Sequence, residues 1–131
     1  MSVVVGYIST REGRAALDAG VTEAILRALD LVVVSSRRDP ATPDDEVEAD
    51  LAAHLTRLQI AGLRHEVRRP APVADPAEDL LRIADEVAAS LIVIGLRRRS
   101  PVGKLLLGSN AQRILLDATC PVLAVKAGRG T

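Results

Sequence analysis

The sequence predicts an α/β fold: an open five-stranded parallel sheet with strand order 3-2-1-4-5 and helices on both faces, Rossmann-like in its winding. Three observations carry that expectation. Short aliphatic runs alternate with stretches in which apolar residues recur at helical spacing. Capping residues stand where the helical stretches begin. A glycine-rich, cationic loop, residues 95–109, joins a buried-strand pattern to a helix start. Such a loop is where an α/β chain can hold an anion, because the first backbone N–H groups of a helix have no partners within it.

The elements follow in order. Residues 3–7, Val-Val-Val-Gly-Tyr, are almost wholly apolar, as a parallel strand covered on both faces requires. Ser9-Thr-Arg-Glu12 then matches a capping box, and Leu17, Val21, Ile25 and Ala28 share one face of a first helix. Residues 31–35 form a second apolar run, and Thr42-Pro43-Asp44-Asp45 opens a second helix striped by Val47, Leu51, Leu55 and Leu58. Residues 64–68, Arg-His-Glu-Val-Arg, are polar and belong at a sheet edge.

Asp75-Pro76-Ala77-Glu78 puts an acceptor at a cap, proline at the first helical position and an acid in the first turn. Leu80, Ala84 and Val87 mark that third helix. Residues 91–95 are again continuously apolar. Ser109-Asn-Ala-Gln112 is a second capping box, leading into a fourth helix with Ala111, Ile114, Leu115 and Ala118 on one face. Residues 122–126 make the fifth strand. The proline-bearing stretches 36–42 and 69–75 read as loops at strand C-terminal ends.

Composition limits what such a chain can do. Its 131 residues form one domain, 1–131, large enough to bury about two-thirds of the unfolded surface. There is no Trp or Phe and a single Tyr, so the core is aliphatic and the composition disfavours binding of single-stranded nucleic acid or RNA, whose bases usually stack on aromatic rings. The 17 basic and 17 acidic side chains cancel, so no overall field draws DNA or an anionic membrane. The N-terminus lacks a signal-peptide pattern, and no apolar run is long enough for a membrane span. One cysteine, Cys120, permits no internal disulfide and points to a reducing cytoplasm.

In an open sheet of this order, ligands bind beyond the strand C-termini where the winding reverses. That point lies between the first and fourth strands, under the loops 6–13 and 95–109. Gly95, Gly108, Ser109 and Asn110 are the candidate phosphate residues, Ser109 also capping its helix. The arginine run Arg97–Arg99 is either a solvated loop or an anion clamp, in which Arg97 or Arg98 would assist. Gly103-Lys104 is not a Walker loop, because Arg98 holds the upstream glycine position and Leu105 follows the lysine.

Cys120 reads as a small buried hydrophobe, and His54 and His65 as surface or boundary residues. The acids Asp39, Asp44, Asp45 and Glu46 suit a helix N-terminus. No metal-ligand spacing is present. Residues 95–109 contain no Asp, Glu or His, and the acid nearest in the first loop, Glu12, reads as a capping-box partner, so no catalytic residue is expected and at most a weak ATPase. The fifth strand, apolar and terminal, would be an open edge suited to pairing with a second copy.

Gly95, Gly108 and Ser109, followed by a helix and Cys120-Pro-Val-Leu-Ala-Val125, resemble the C-terminal signature of the universal stress protein family, G-x2-G-x9-G-[S/T] in its nucleotide-binding members. Val3-Val-Val-Gly-Tyr7 followed by Glu12-Gly-Arg-Ala-Ala-Leu17 resembles that family's first strand and helix. The resemblance implies the adenine nucleotide alpha hydrolase-like version of the fold, a regulatory role in the stress response, a homodimer through Val122–Lys126, and in one subgroup ATP or another adenine nucleotide, with Mg2+ entering only with the nucleotide. It places Gly6, Tyr7 and Ile8 along the base or ribose, with Ser36 at the end of strand two. Two positions depart from the nucleotide-binding pattern. Arg98 stands at the second glycine, and Ile8 stands where an aspartate usually helps hold the nucleoside. A member acting through protein contacts alone is therefore the second reading, and an ATPase or nucleotidyl-transfer enzyme the third.

Overall fold

A computed structural model describes residues 1–8, 10–36, 44–70, 75–96 and 107–127. Among these the order of elements is β1 (Ser2–Tyr7), α1 (Arg11–Arg27), β2 (Asp30–Ser35), α2 (Asp44–Ile60), β3 (His65–Arg68), α3 (Pro76–Glu86), β4 (Ala89–Leu96), α4 (Ser109–Asp117) and β5 (Val122–Lys126). The strands form one sheet in the order β3-β2-β1-β4-β5. Every pairing is parallel, with Val4 opposite Val32 on one side and Ile92 on the other. The expected topology is thus the observed one.

The sheet is buried on both faces, which explains its unbroken apolar runs. Val3, Val5, Tyr7, Leu31, Val33, Leu91 and Val93 point to one side, where they meet Leu17, Val21 and Ala24 of α1 and Leu51, Leu55 and Leu58 of α2. Val4, Val32, Val34, Ile92 and Ile94 point to the other, against Leu80, Ile83 and Ala84 of α3 and Ile114 of α4. The polar third strand is at the edge, as expected. It is held there partly by charge: Arg68 donates to Glu66 and, at 2.7 Å, to Glu86 of α3. Hydrogen bonds from Arg68 and then Arg82 hold the Glu86 carboxyl below its ordinary value.

The helix ends depart from expectation by small steps. The cap of α1 is Thr10, whose Oγ1 accepts from Gly13 N at 3.1 Å, and Ser9 lies outside the described residues. The chain shifts by one because Ile8 folds its carbonyl against the helix start. Thr10 N–H donates to Ile8 O at 2.8 Å, and a Cβ on Gly13 would lie 1.8 Å from that oxygen.

Ala28 does not extend the α1 face. It is the C-cap in the left-handed region at φ 54, where its N–H reaches Ala24 O and Ile25 O. The cap of α3 is Asp75 with Pro76 at the helix start, as expected. The cap of α4 is Gly108, not Ser109, and makes no side-chain bond. Gln112 instead donates its side-chain N–H to Leu107 O at 3.2 Å, so no capping box forms. Of the expected α4 face, Ile114 is buried while Leu115 is 39% exposed. Thr42 and Pro43 lie outside the described residues.

Candidate functional site at the reversal of the sheet

The ends of β1 and β4 diverge because α1 leaves β1 on one face of the sheet while α3 and α4 cover the other. The gap is a cleft of about 400 Å³. Gly6 and Ile8 at the end of β1, Gly95 and Leu96 at the end of β4, and Gly108 and Asn110 at the start of α4 all line it. Its apolar wall is Val34, Leu80, Ile94 and Ile114. Both segments flanking the glycine-rich loop therefore open onto the predicted crevice.

The glycines are set by close approach. A Cβ on Gly95 would lie 2.2 Å from Glu12 O and 3.0 Å from Glu12 Cβ, so the first turn of α1 sits directly on the end of β4. A Cβ on Gly6 would meet Leu80 Cδ2 at 3.3 Å. At this point the main chain, and not side chains, forms the floor of the cleft.

The predicted site residues do not all reach the cleft. Gly6, Ile8, Ser36, Gly95, Gly108 and Asn110 come together on the cleft. Tyr7 lines it as well. Its ring is buried on the α1–α2 side, where the hydroxyl donates to Asp50 Oδ2 at 2.9 Å, and its carbonyl accepts from Ser36 N at 3.0 Å. The strand alternation that sends Val3 and Val5 to that face sends Tyr7 with them, so the ring cannot flank a base. Ser109 is exposed as the first residue of α4 and is not on the cleft wall. Arg97 and Arg98, with Arg99, lie outside the described residues.

Two helix starts contribute as well, one inside the expected 6–13 loop and one, at α3, that sequence reasoning missed. Glu12 and Gly13 of α1 and Pro76 and Ala77 of α3 also line the cleft. Signals for both were present, since each sits at a capped N-terminus facing the strand C-termini. The α3 start is fixed by a double contact: Asp75 Oδ1 accepts from Ala77 N at 3.0 Å, and Asp75 Oδ2 accepts from Arg113 Nη1 of α4 at 2.7 Å. Arg113 thereby ties together the two helices that form one side of the opening.

Among the described lining residues, Glu12 carries the one side chain charged at neutral pH; the others are apolar, glycine or neutral polar. Among the described residues no group of three or more His, Cys, Asp or Glu could hold a metal ion. Cys120 is partly buried against the α3–α4 core, and burial, then the neighbouring Asp85 charge, push its thiol up. It behaves as the small hydrophobe expected. No described helix is long and apolar enough to cross a membrane.

Known proteins resemble this arrangement throughout its length. The chain matches the universal stress protein family over residues 1–126. It is 46% identical over 130 residues to a universal stress protein of Mycolicibacterium smegmatis, covering 95% of this chain and 96% of the relative. Among solved structures, the universal stress protein of Archaeoglobus fulgidus in complex with dAMP superposes with a TM-score of 0.68 at 27% identity, covering 96% of this chain and 98% of that one. A universal stress protein in complex with cAMP gives 0.71 at 26% identity, covering 98% of each. With the 3-2-1-4-5 sheet, the glycine-flanked cleft and near-complete coverage all in agreement, this chain belongs to the universal stress protein family.

Proposed function

We propose that this protein is a cytoplasmic, homodimeric regulator of the stress response that binds an adenine nucleotide in the cleft between β1 and β4 and acts by binding, not by turnover. The observation that carries the reading is the convergence of Gly6, Gly95, Gly108 and Asn110 on one cleft with an apolar wall. The wall suits a base, and the start of α4 offers amide hydrogens to phosphate oxygens. Relatives of the same fold bind dAMP and cAMP in their own structures, which supports the choice of an adenine nucleotide. The described lining offers no second carboxylate or histidine to position a metal or attacking water, which favours a sensor over an ATPase. Dimerisation rests on β5, the outer strand beyond β4, whose Val122, Leu123, Ala124 and Val125 are only partly buried.

A second reading, a member working through protein contacts alone, draws support from Ile8. It lines the cleft at the position where an acid would contact the nucleoside. One missing charged hydrogen bond costs about 1.5–3 kcal/mol, or roughly ten- to a hundredfold in affinity. Titration calorimetry with ATP, with and without Mg2+, and with AMP separates the two. Saturable heat below millimolar nucleotide supports the sensor. Silence from a folded protein at millimolar nucleotide supports the second reading.

A further inference from the structure

Resting on the nucleotide reading of the cleft, we infer that Glu12 determines ligand specificity: its carboxylate accepts hydrogen bonds from the hydroxyls of the ligand's sugar. Glu12 is half-buried in the first turn of α1 and lines the cleft beside Ile8 and Gly13. Its backbone is seated against Gly95, where a Cβ would meet Glu12 O at 2.2 Å, so the side chain starts at a fixed place by the end of β4.

The capping-box partner expected for Glu12, Ser9, lies outside the described residues. Thr10 is the cap, the third position after it is Gly13, and Thr10 N–H is satisfied by Ile8 O at 2.8 Å. Glu12 has protein contacts of its own. A carboxylate nevertheless offers about four lone-pair sites, enough to serve a ligand as well.

Charge then divides the cleft. A phosphate avoids the Glu12 end and favours the start of α4 at Gly108 and Asn110, where a helix N-terminus presents positive partial charge. The base favours the apolar wall of Val34, Leu80 and Ile94. The carboxylate is acceptor-only, so what faces it must donate without bearing negative charge. In a nucleotide the part between base and phosphate that meets this description is the hydroxylated sugar. Ile8, apolar and next to it, offers no competing acceptor side chain.

The test compares AMP with 2′,3′-dideoxy-AMP by calorimetry on the wild-type protein, Glu12→Ala and Glu12→Gln, each checked for native circular dichroism. The wild type should bind AMP about tenfold more tightly than the dideoxy analogue, the ratio for one charge-assisted hydrogen bond. Glu12→Ala should bind both nucleotides alike. Glu12→Gln, which keeps the shape and one acceptor, should retain part of the preference. Equal binding of both nucleotides by the wild type, or a preference that survives Glu12→Ala, overturns the role of Glu12 while leaving the cleft reading intact. Failure of the wild type to bind either nucleotide overturns the cleft reading itself, and the role of Glu12 with it.

Discussion

Gly13 shows how strongly one position can constrain this fold. With Ile8 O 1.8 Å from where its Cβ would sit, the first turn of α1 admits no side chain there. Alanine is the better helix former by about 1 kcal/mol, yet the steric conflict is with backbone and cannot be relieved by a rotamer change. We expect Gly13→Ala to lose a net of about 1–3 kcal/mol of stability, read from urea unfolding midpoints. An unchanged midpoint would mean that Ile8 is not packed as described. The sequence made Gly95 and Gly108 legible because they flank a loop between recognisable elements. It did not make Gly13 legible, because its constraint comes from a carbonyl five residues earlier in a turn whose register the Ser9-Thr10 pair leaves ambiguous. Tyr7 lines the cleft as its place at the end of β1 led one to expect, while strand alternation assigns its ring to the far face.

At the scale of elements, strands were easier to read than helix ends. Burial on both faces writes an unbroken apolar run into each central strand, whereas a cap depends on one hydrogen bond that neighbouring residues can make equally well. The start of α3 was readable because Asp75 and Pro76 fix it from two directions. The short helix α4 was least readable: Ile114 is its one buried residue, and its start is set by Gly108 without a side-chain cap. Its attachment relies on Arg113, which bonds Asp75 at 2.7 Å and approaches Asp117 at 3.8 Å. Exposed pairs of this kind contribute about 0.2–1 kcal/mol. Arg113→Ala should therefore leave global stability nearly unchanged while speeding amide exchange in α4 by up to about fivefold, with exchange in β1 unaffected. Equal acceleration in both elements would show that Arg113 supports the whole fold and not the opening of the cleft.

For the whole molecule, alternating periods and right-handed crossovers leave few arrangements, and the chain adopts the expected one. The location of the cleft followed from the strand order; its acidic corner at Glu12 did not, since that depends on how closely α1 approaches β4. The proposed assembly is testable at this scale. Sedimentation equilibrium should give twice the 13.9 kDa chain mass. Ala124→Glu, which puts a charge on the outer strand, should give a folded monomer. A variant that remains dimeric would place the interface elsewhere.

The two borders of the sheet differ in a way that limits growth. One is fenced by Arg68, Glu66 and Glu86; the other, β5, is apolar from Val122 to Val125 and carries a charge only at its end, Lys126. If two copies join along their apolar borders, the fenced ones are left outermost, and a third molecule finds no sticky rim on which to continue. In the proposed pair, that asymmetry would guard against ribbons and fibrils at high concentration.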